Sequence, residues 1–211
     1  MYSRFQMNQW CSHETFAAAA GMNIQRSLSA LNFGRFDAEF GCYSPSDVAE
    51  AHLRYEANCG PASFAAMRRT RVIDVMQAFP HFPKKPWTTV GHMRQAMKLS
   101  AVDYWETPDL PEYGVALLQL KVDGRPLHGL FSLRQTHWVA VFRGSFYDVN
   151  WDGWLPIRLW EQLVLPLIWF GNKPVRSWSV RRAFSVRCPV AVEAALISSQ
   201  KEGAIRFQSA V

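Results

Sequence analysis

The sequence predicts an α+β domain built as two packed layers. Helical patterns occupy residues 46 to 99, and strand patterns dominate from residue 115 onward. No internal repeat or low-complexity linker divides the chain. Its 211 residues suffice for one domain with a sizeable core, or one domain with an extension. With 49% hydrophobic and 19% charged residues and a mean hydropathy of −0.12, the composition is that of a soluble globular protein. Nine Trp and fourteen Phe point to a large aromatic core or an aromatic-lined cleft, the core being the commoner use.

Residues 1–45 read as an N-terminal extension wrapped on the main domain. Within it, Ser12 starts a run of helix formers that Gly21 breaks. Ser46 is placed to cap a short helix from Asp47 to Leu53. Asn58 is a favoured N-cap type, Pro61 suits a first turn, and the run to Arg69 is rich in core and helix-forming residues. VIDVMQAF continues as a second helical segment, and FPHFPKKPW (79–87) is a proline-punctuated loop. Thr88 or Thr89 caps a further helix with Val90, Met93, Met97 and Leu99 on its apolar face. Then the period changes. VALLQLKV (115–122), HWVAVFR (137–143) and SFYDVNW (145–151) read as strands, the last two joined through Gly144. Residues 156–170 look helical with a break at Pro166, and 177–188 read as a late strand. Residues 191–211 read as a C-terminal tail.

Cys59 opens the helix that Asn58 caps. A thiolate is the reactive form of cysteine, and a helix N-terminus favours negative charge. Gly60 leaves room for a substrate to approach the backbone, and the Cys59 backbone N–H can face a developing oxyanion. A free cysteine is also among the most buried residue types, so a core role for Cys59 stands beside the reactive one. A nucleophile needs a base. His137 begins an apolar strand, and a strand start presents its side chain at a cleft edge. Eleven positions later comes Asp148, on the strand that returns from Gly144, with Asn150 on the same face if that strand continues. Either Asp148 or Asn150 can hold the imidazole tautomer. Trp138, Trp151 and Trp154 are candidates to line a cleft, with packing beneath the sheet the commoner use for at least two.

NCGPAS, THWVAV and YDVN together resemble the papain-like cysteine peptidases, in particular the branch of bacterial double-glycine leader peptidases. The resemblance covers roughly residues 50 to 155, about half the chain. It implies a papain-like fold over residues 46–190, with the Cys-bearing helix packed on an antiparallel sheet that bears His and Asp or Asn. It implies Cys59 as nucleophile, His137 as general base and acid, and Asp148 as orienter, with Asn150 the alternate. The implied reaction is hydrolysis of a peptide or other amide through a thioester acyl-enzyme, or acyl transfer if an amine replaces water. The substrate is then a peptide or protein, with no cofactor and no metal. One departure stands out. The family carries a Gln a few residues before its Cys, and EAHLRYEAN has none. Asn58, Arg54, His52 or the distant Gln25 would have to replace that oxyanion donor, whose loss typically costs about 10²–10³ in rate. A papain-like module that binds a peptide or protein without efficient catalysis is therefore the alternative reading.

The formal charge of +6 permits an acidic partner, but the basic residues are scattered and no nucleic-acid motif accompanies them. The four cysteines form no C-x-x-C pair and are widely spaced, which favours free thiols over disulfides or a zinc site. No secretory signal or membrane span is seen: the longest apolar stretch, residues 163–170, is interrupted by Pro166. The expected location is the cytoplasm, or export as an effector without a classical signal peptide.

Overall fold

The computed structural model describes residues 42–122, 135–151, 153–170 and 173–187. The expected extension up to residue 41, with Gln25 in it, and the tail 191–211 lie outside the described residues. Cys42 and Cys59 are free thiols; Cys11 and Cys188 lie outside.

Helix α1 spans Val48–Tyr55. Asp47, not Ser46, stands at its N-cap, and its side chain makes no cap bond there. The nearly buried Asp47 carboxylate instead accepts from the Val72 and Ile73 amides at 2.9 Å each, and Arg71 lies 3.7 Å away. Those amides open α3 (Val72–Val75), which runs on into a 3-10 turn at Met76–Ala78. Donors from a second helix end, with a cation beside them, satisfy a buried carboxylate better than one local cap does.

Between these lies α2 (Cys59–Arg68), in which every residue from Gly60 to Met67 is buried. A helix apolar on all sides belongs at the centre of a fold. Asn58 caps it by accepting from the Gly60 amide at 3.3 Å. Arg69 ends it in the left-handed conformation, its N–H returning to the last carbonyls. Helix α4 (Val90–Leu99) is capped by Thr89, which accepts from the His92 amide. His92 Nδ1 accepts in return from the Thr89 amide, the duty Glu or Gln performs in a capping box. Met93, Ala96 and Met97 of α4 are buried, but Leu99 is 61% exposed. Two positions beyond Met97 is about 200° around a helix, so Leu99 leaves the apolar face on which it was expected.

The sheet has six strands, all neighbours antiparallel, in the order β1-β8-β2-β3-β4-β5. In chain order these are β1 (Tyr104–Thr107), β2 (Tyr113–Lys121), β3 (Thr136–Phe142), β4 (Ser145–Asp148), β5 (Gly153–Pro156) and, last, β8 (Ser177–Val186). The edge strands β1 and β5 have four residues each, too short for the sequence pattern to separate them from loops. One face of the sheet packs Val115, Leu117, Trp138, Ala140 and Tyr147 with Phe64 and Met67 of α2 and Met93 and Met97 of α4. The other packs Ala116, Leu118, Val139, Val141 and Phe146 with Trp160 of α5 (Ile157–Leu163). Helix α5 is shorter than expected. A 3-10 turn at Leu165–Leu167 takes Pro166, and a small ribbon follows, β6 (Trp169–Phe170) with β7 (Lys173–Pro174). No helix among the described residues is long and apolar enough to cross a membrane.

Candidate active site

The β3–β4 hairpin sets the register of the site. Arg143 (φ 42°) and Gly144 (φ 75°) form its two-residue turn, both with positive φ, as the tight turn matching strand twist requires. Phe142 pairs with Ser145, Val141 with Phe146 and Ala140 with Tyr147. Carried one step further, this register sets Asp148 opposite Val139. His137 is then its diagonal neighbour on the same face, within side-chain reach. His137 Nε2 lies 3.0 Å from Asp148 Oδ2. The ring N–H meets the carboxylate at a poor angle, so the hydrogen bond is bent and charge carries most of the contact. His137 is 5% exposed and Asp148 is fully buried.

The other ligand of the imidazole is Cys59, whose partly exposed side chain hydrogen-bonds His137 from the first turn of α2. With Nε2 on the carboxylate, Nδ1 is the nitrogen left for the thiol. The three residues singled out in the sequence, Cys59, His137 and Asp148, are therefore brought together. Asn150 is not the strand residue it was expected to be. Strand β4 stops at Asp148, whose Oδ1 accepts from the Asn150 amide at 2.8 Å while its carbonyl accepts from Trp151. An aspartate that captures the amide two residues on makes a turn of its own. Asn150 thus meets Asp148 through its backbone.

Asp148 Oδ2 also accepts from the Trp160 indole at 2.6 Å. Burial alone would raise this carboxyl. The facing His137 charge and hydrogen bond, the Asn150 amide and the Trp160 indole together hold it below the ordinary carboxylate range. Burial likewise would lower His137. The Asp148 charge and hydrogen bond, then the Cys59 hydrogen bond and charge, overcome it and place the imidazole well above its ordinary value. Electrostatic help is mutual, so an imidazolium that a thiolate stabilises also stabilises that thiolate.

Three fastenings hold helix and strand in place. Ser63, one turn after Cys59, donates to the Trp138 carbonyl at 3.0 Å, tying α2 to the residue after His137. The Trp138 indole donates to the Thr88 carbonyl at 2.8 Å. Asn58 Nδ2 donates to the Pro86 carbonyl at 2.5 Å. The space at Gly60 is filled by this same loop: a Cβ there would lie 2.1 Å from Thr88 Oγ1. Gly60 admits Thr88, not a substrate as the sequence suggested.

The expected oxyanion donors fare unequally. The Asn58 amide is engaged at both ends, capping α2 and holding the Pro86 loop. His52 Nδ1 bonds the Ala57 carbonyl, and the exposed Arg54 lies over the Tyr55 ring. The Cys59 amide sits in the first turn of α2, where N–H groups point out of the helix end. Trp138 and Trp154 are buried in the core and Trp151 packs partly buried against the second cluster, so two of the three cleft candidates are packing residues.

Sequence reasoning gave Ser63 and Trp160 no role at the site, and offered Thr88 only as a helix cap, the duty Thr89 performs. Ser63 alone left a signal, its four-residue spacing from Cys59. Among the described residues no cluster of three or more His, Cys, Asp or Glu is arranged to hold a metal. No family model, curated protein or solved structure matches the chain.

Proposed function

We propose that this chain is a papain-like cysteine peptidase or amidase acting on a peptide or protein. The observation that carries the reading is His137 held between the Cys59 thiol and the Asp148 carboxylate. The Cys59 thiolate attacks the carbonyl carbon and forms a thioester as the C–N bond breaks. His137 gives its proton to the departing amine. It then takes one from water, whose oxygen attacks the thioester and frees the acid and Cys59. The buried Asp148 anion keeps the imidazole oriented and favours its charged form. The Cys59 amide, at the positive end of α2, is the supported oxyanion donor. An amine in place of water gives acyl transfer by the same steps.

A binding module with little catalysis is the second reading. It is favoured by the Asn58 side chain, which caps α2 through its oxygen and holds the Pro86 loop through one N–H, leaving only its second N–H for an oxyanion. One experiment separates the two: iodoacetamide alkylation of Cys59 from pH 5 to 9, read by peptide mass spectrometry in wild type and His137→Ala. The peptidase reading expects labelling that persists well below pH 7 and reverts in the variant to a thiol near 8.5. Wild-type labelling that already follows an ordinary thiol would overturn it.

A further inference from the structure

The direction of α2 over the sheet puts Cys59 at one end of β3. Ser63 donates to the Trp138 carbonyl, and one turn on, the Met67 carbonyl accepts from the Tyr113 hydroxyl. Tyr113 pairs with Phe142. Followed back from Met67 through Ser63 to Cys59, the helix therefore travels from Phe142 toward Thr136, where β3 begins. Gln119 of β2 pairs directly with Thr136. Val115 and Leu117 face α2, and side chains alternate, so Gln119 faces α2 too, one strand over from the nucleophile.

Gln119 is 8% exposed and is held at both ends of its amide. Its Nε2 donates to the Gln135 carbonyl at 3.3 Å, and its Oε1 accepts from Arg181 Nη1 at 2.9 Å. Arg182 pairs with Leu117 and Val180 with Leu118, so Arg181 is the extra residue of a bulge in β8, a place where a strand re-aims a side chain. Arg182 lies 3.9 Å from Glu106, which Arg94 also holds. Arg181 is exposed and, among the described residues, enters no ion pair. One N–H is fixed by Gln119 and the rest are left for a ligand. A guanidinium oriented in advance binds a carboxylate through charge-assisted hydrogen bonds at reduced entropic cost.

We propose, resting on the peptidase reading, that Arg181 binds a carboxylate of the substrate two or three residues from the bond that Cys59 attacks. Neighbouring strands lie roughly 5 Å apart and the Gln119 and Arg181 side chains add about as much again, against roughly 3.3 Å for each extended residue. The carboxylate is the end of the peptide or an acidic side chain. The test uses iodoacetyl peptides of one to four alanines, each with a free C-terminal carboxylate and as the neutral amide. A second, amidated series ends in Glu or in Gln. Cys59 sulfur displaces iodide from the methylene carbon, forming the C–S bond as the C–I bond breaks. A change in the thiol or the fold moves acid and amide rates alike, so their ratio reports the carboxylate alone.

In wild type at low salt, the acid is expected to react at least about tenfold faster than the amide at one chain length. Arg181→Gln should bring that ratio to within about twofold, Arg181→Lys should restore part of it, and Arg182→Gln should keep most of it. A preference confined to free C-termini identifies the chain end as the partner, and one shared by Glu over Gln identifies an acidic side chain; both support the proposal. A ratio near one at every length overturns it. So does a preference that survives Arg181→Gln or that Arg182→Gln removes as fully, which would mark the charge of the whole face. If wild type labels with iodoacetamide like an ordinary thiol, the peptidase reading itself fails, and this proposal with it. A ratio near one on a thiol that labels well below pH 7 removes the proposal alone.

Discussion

Two oxygens of Asp148 meet three donors, and the three have different consequences. The Asn150 amide on Oδ1 ends β4, while His137 and the Trp160 indole share Oδ2. A buried carboxylate stays ionised only if such donors outweigh its lost hydration. Trp160 is thus a positioning residue acting through Asp148 on His137. Trp160→Phe keeps most of the ring but removes the N–H. It is expected to cost about 1.5–3 kcal/mol, the worth of a hydrogen bond to a charged group. The sign with pH follows from the carboxyl. A less depressed Asp148 pKa moves acid unfolding of the variant to higher pH than in wild type. Urea denaturation at pH 4 and pH 7 measures both. A variant as stable as wild type at both values would show that the 2.6 Å contact contributes nothing.

At the scale of elements, the close fit of α2 against the Pro86–Thr89 loop decides how Cys59 is presented. An Ala at position 60 would bring its Cβ to 2.1 Å from Thr88 Oγ1 and 2.4 Å from Thr88 Cβ. Side chain and loop must move apart. Gly60→Ala is expected to destabilise by about 1–3 kcal/mol, the usual cost of overpacking. Thr88→Gly removes the opposing atoms, so the double variant should recover much of that loss. Additive effects in the double-mutant cycle would deny the contact. Nothing in NCGPAS reveals it, because Thr88 comes from another element. What the sequence does reveal here is local: Asn58 as cap, a helix of mostly small and apolar residues after Cys59, and a turn at Gly144 that sets His137 and Asp148 on one face. The strand pattern marks β2, β3 and β8, each of seven residues or more, and the Gly144 turn adds the four-residue β4. It also misplaced Asn150, since the Asp148 side chain ends the strand that the pattern would continue.

Across the whole molecule, the His137–Asp148 pair gives folding a pH dependence whose sign can be worked out. Asp148 has a lowered pKa in the fold. Its contribution is full above the unfolded carboxyl value, about 3.9, and is lost as pH falls through the folded value. His137 has a raised pKa. Its contribution is full below the unfolded imidazole value, about 6.5, and fades as pH rises toward the folded value. Together they predict a plateau of stability between about pH 4 and pH 6.5 and a decline on the alkaline side. Other groups titrate over this range, so the pair is isolated by comparison with Asp148→Asn. That variant keeps the buried imidazole but takes away its anion. Burial, now weakly opposed, then favours the neutral ring. The decline above pH 6.5 should shrink or reverse sign, and the variant should lose most stability, relative to wild type, near pH 5. Urea midpoints at pH 5, 6, 7, 8 and 9 for the two proteins give the difference curve directly. A difference that is flat across these values would mean that the pair is not ionised in the fold. It would also remove the electrostatic support for a thiolate at Cys59.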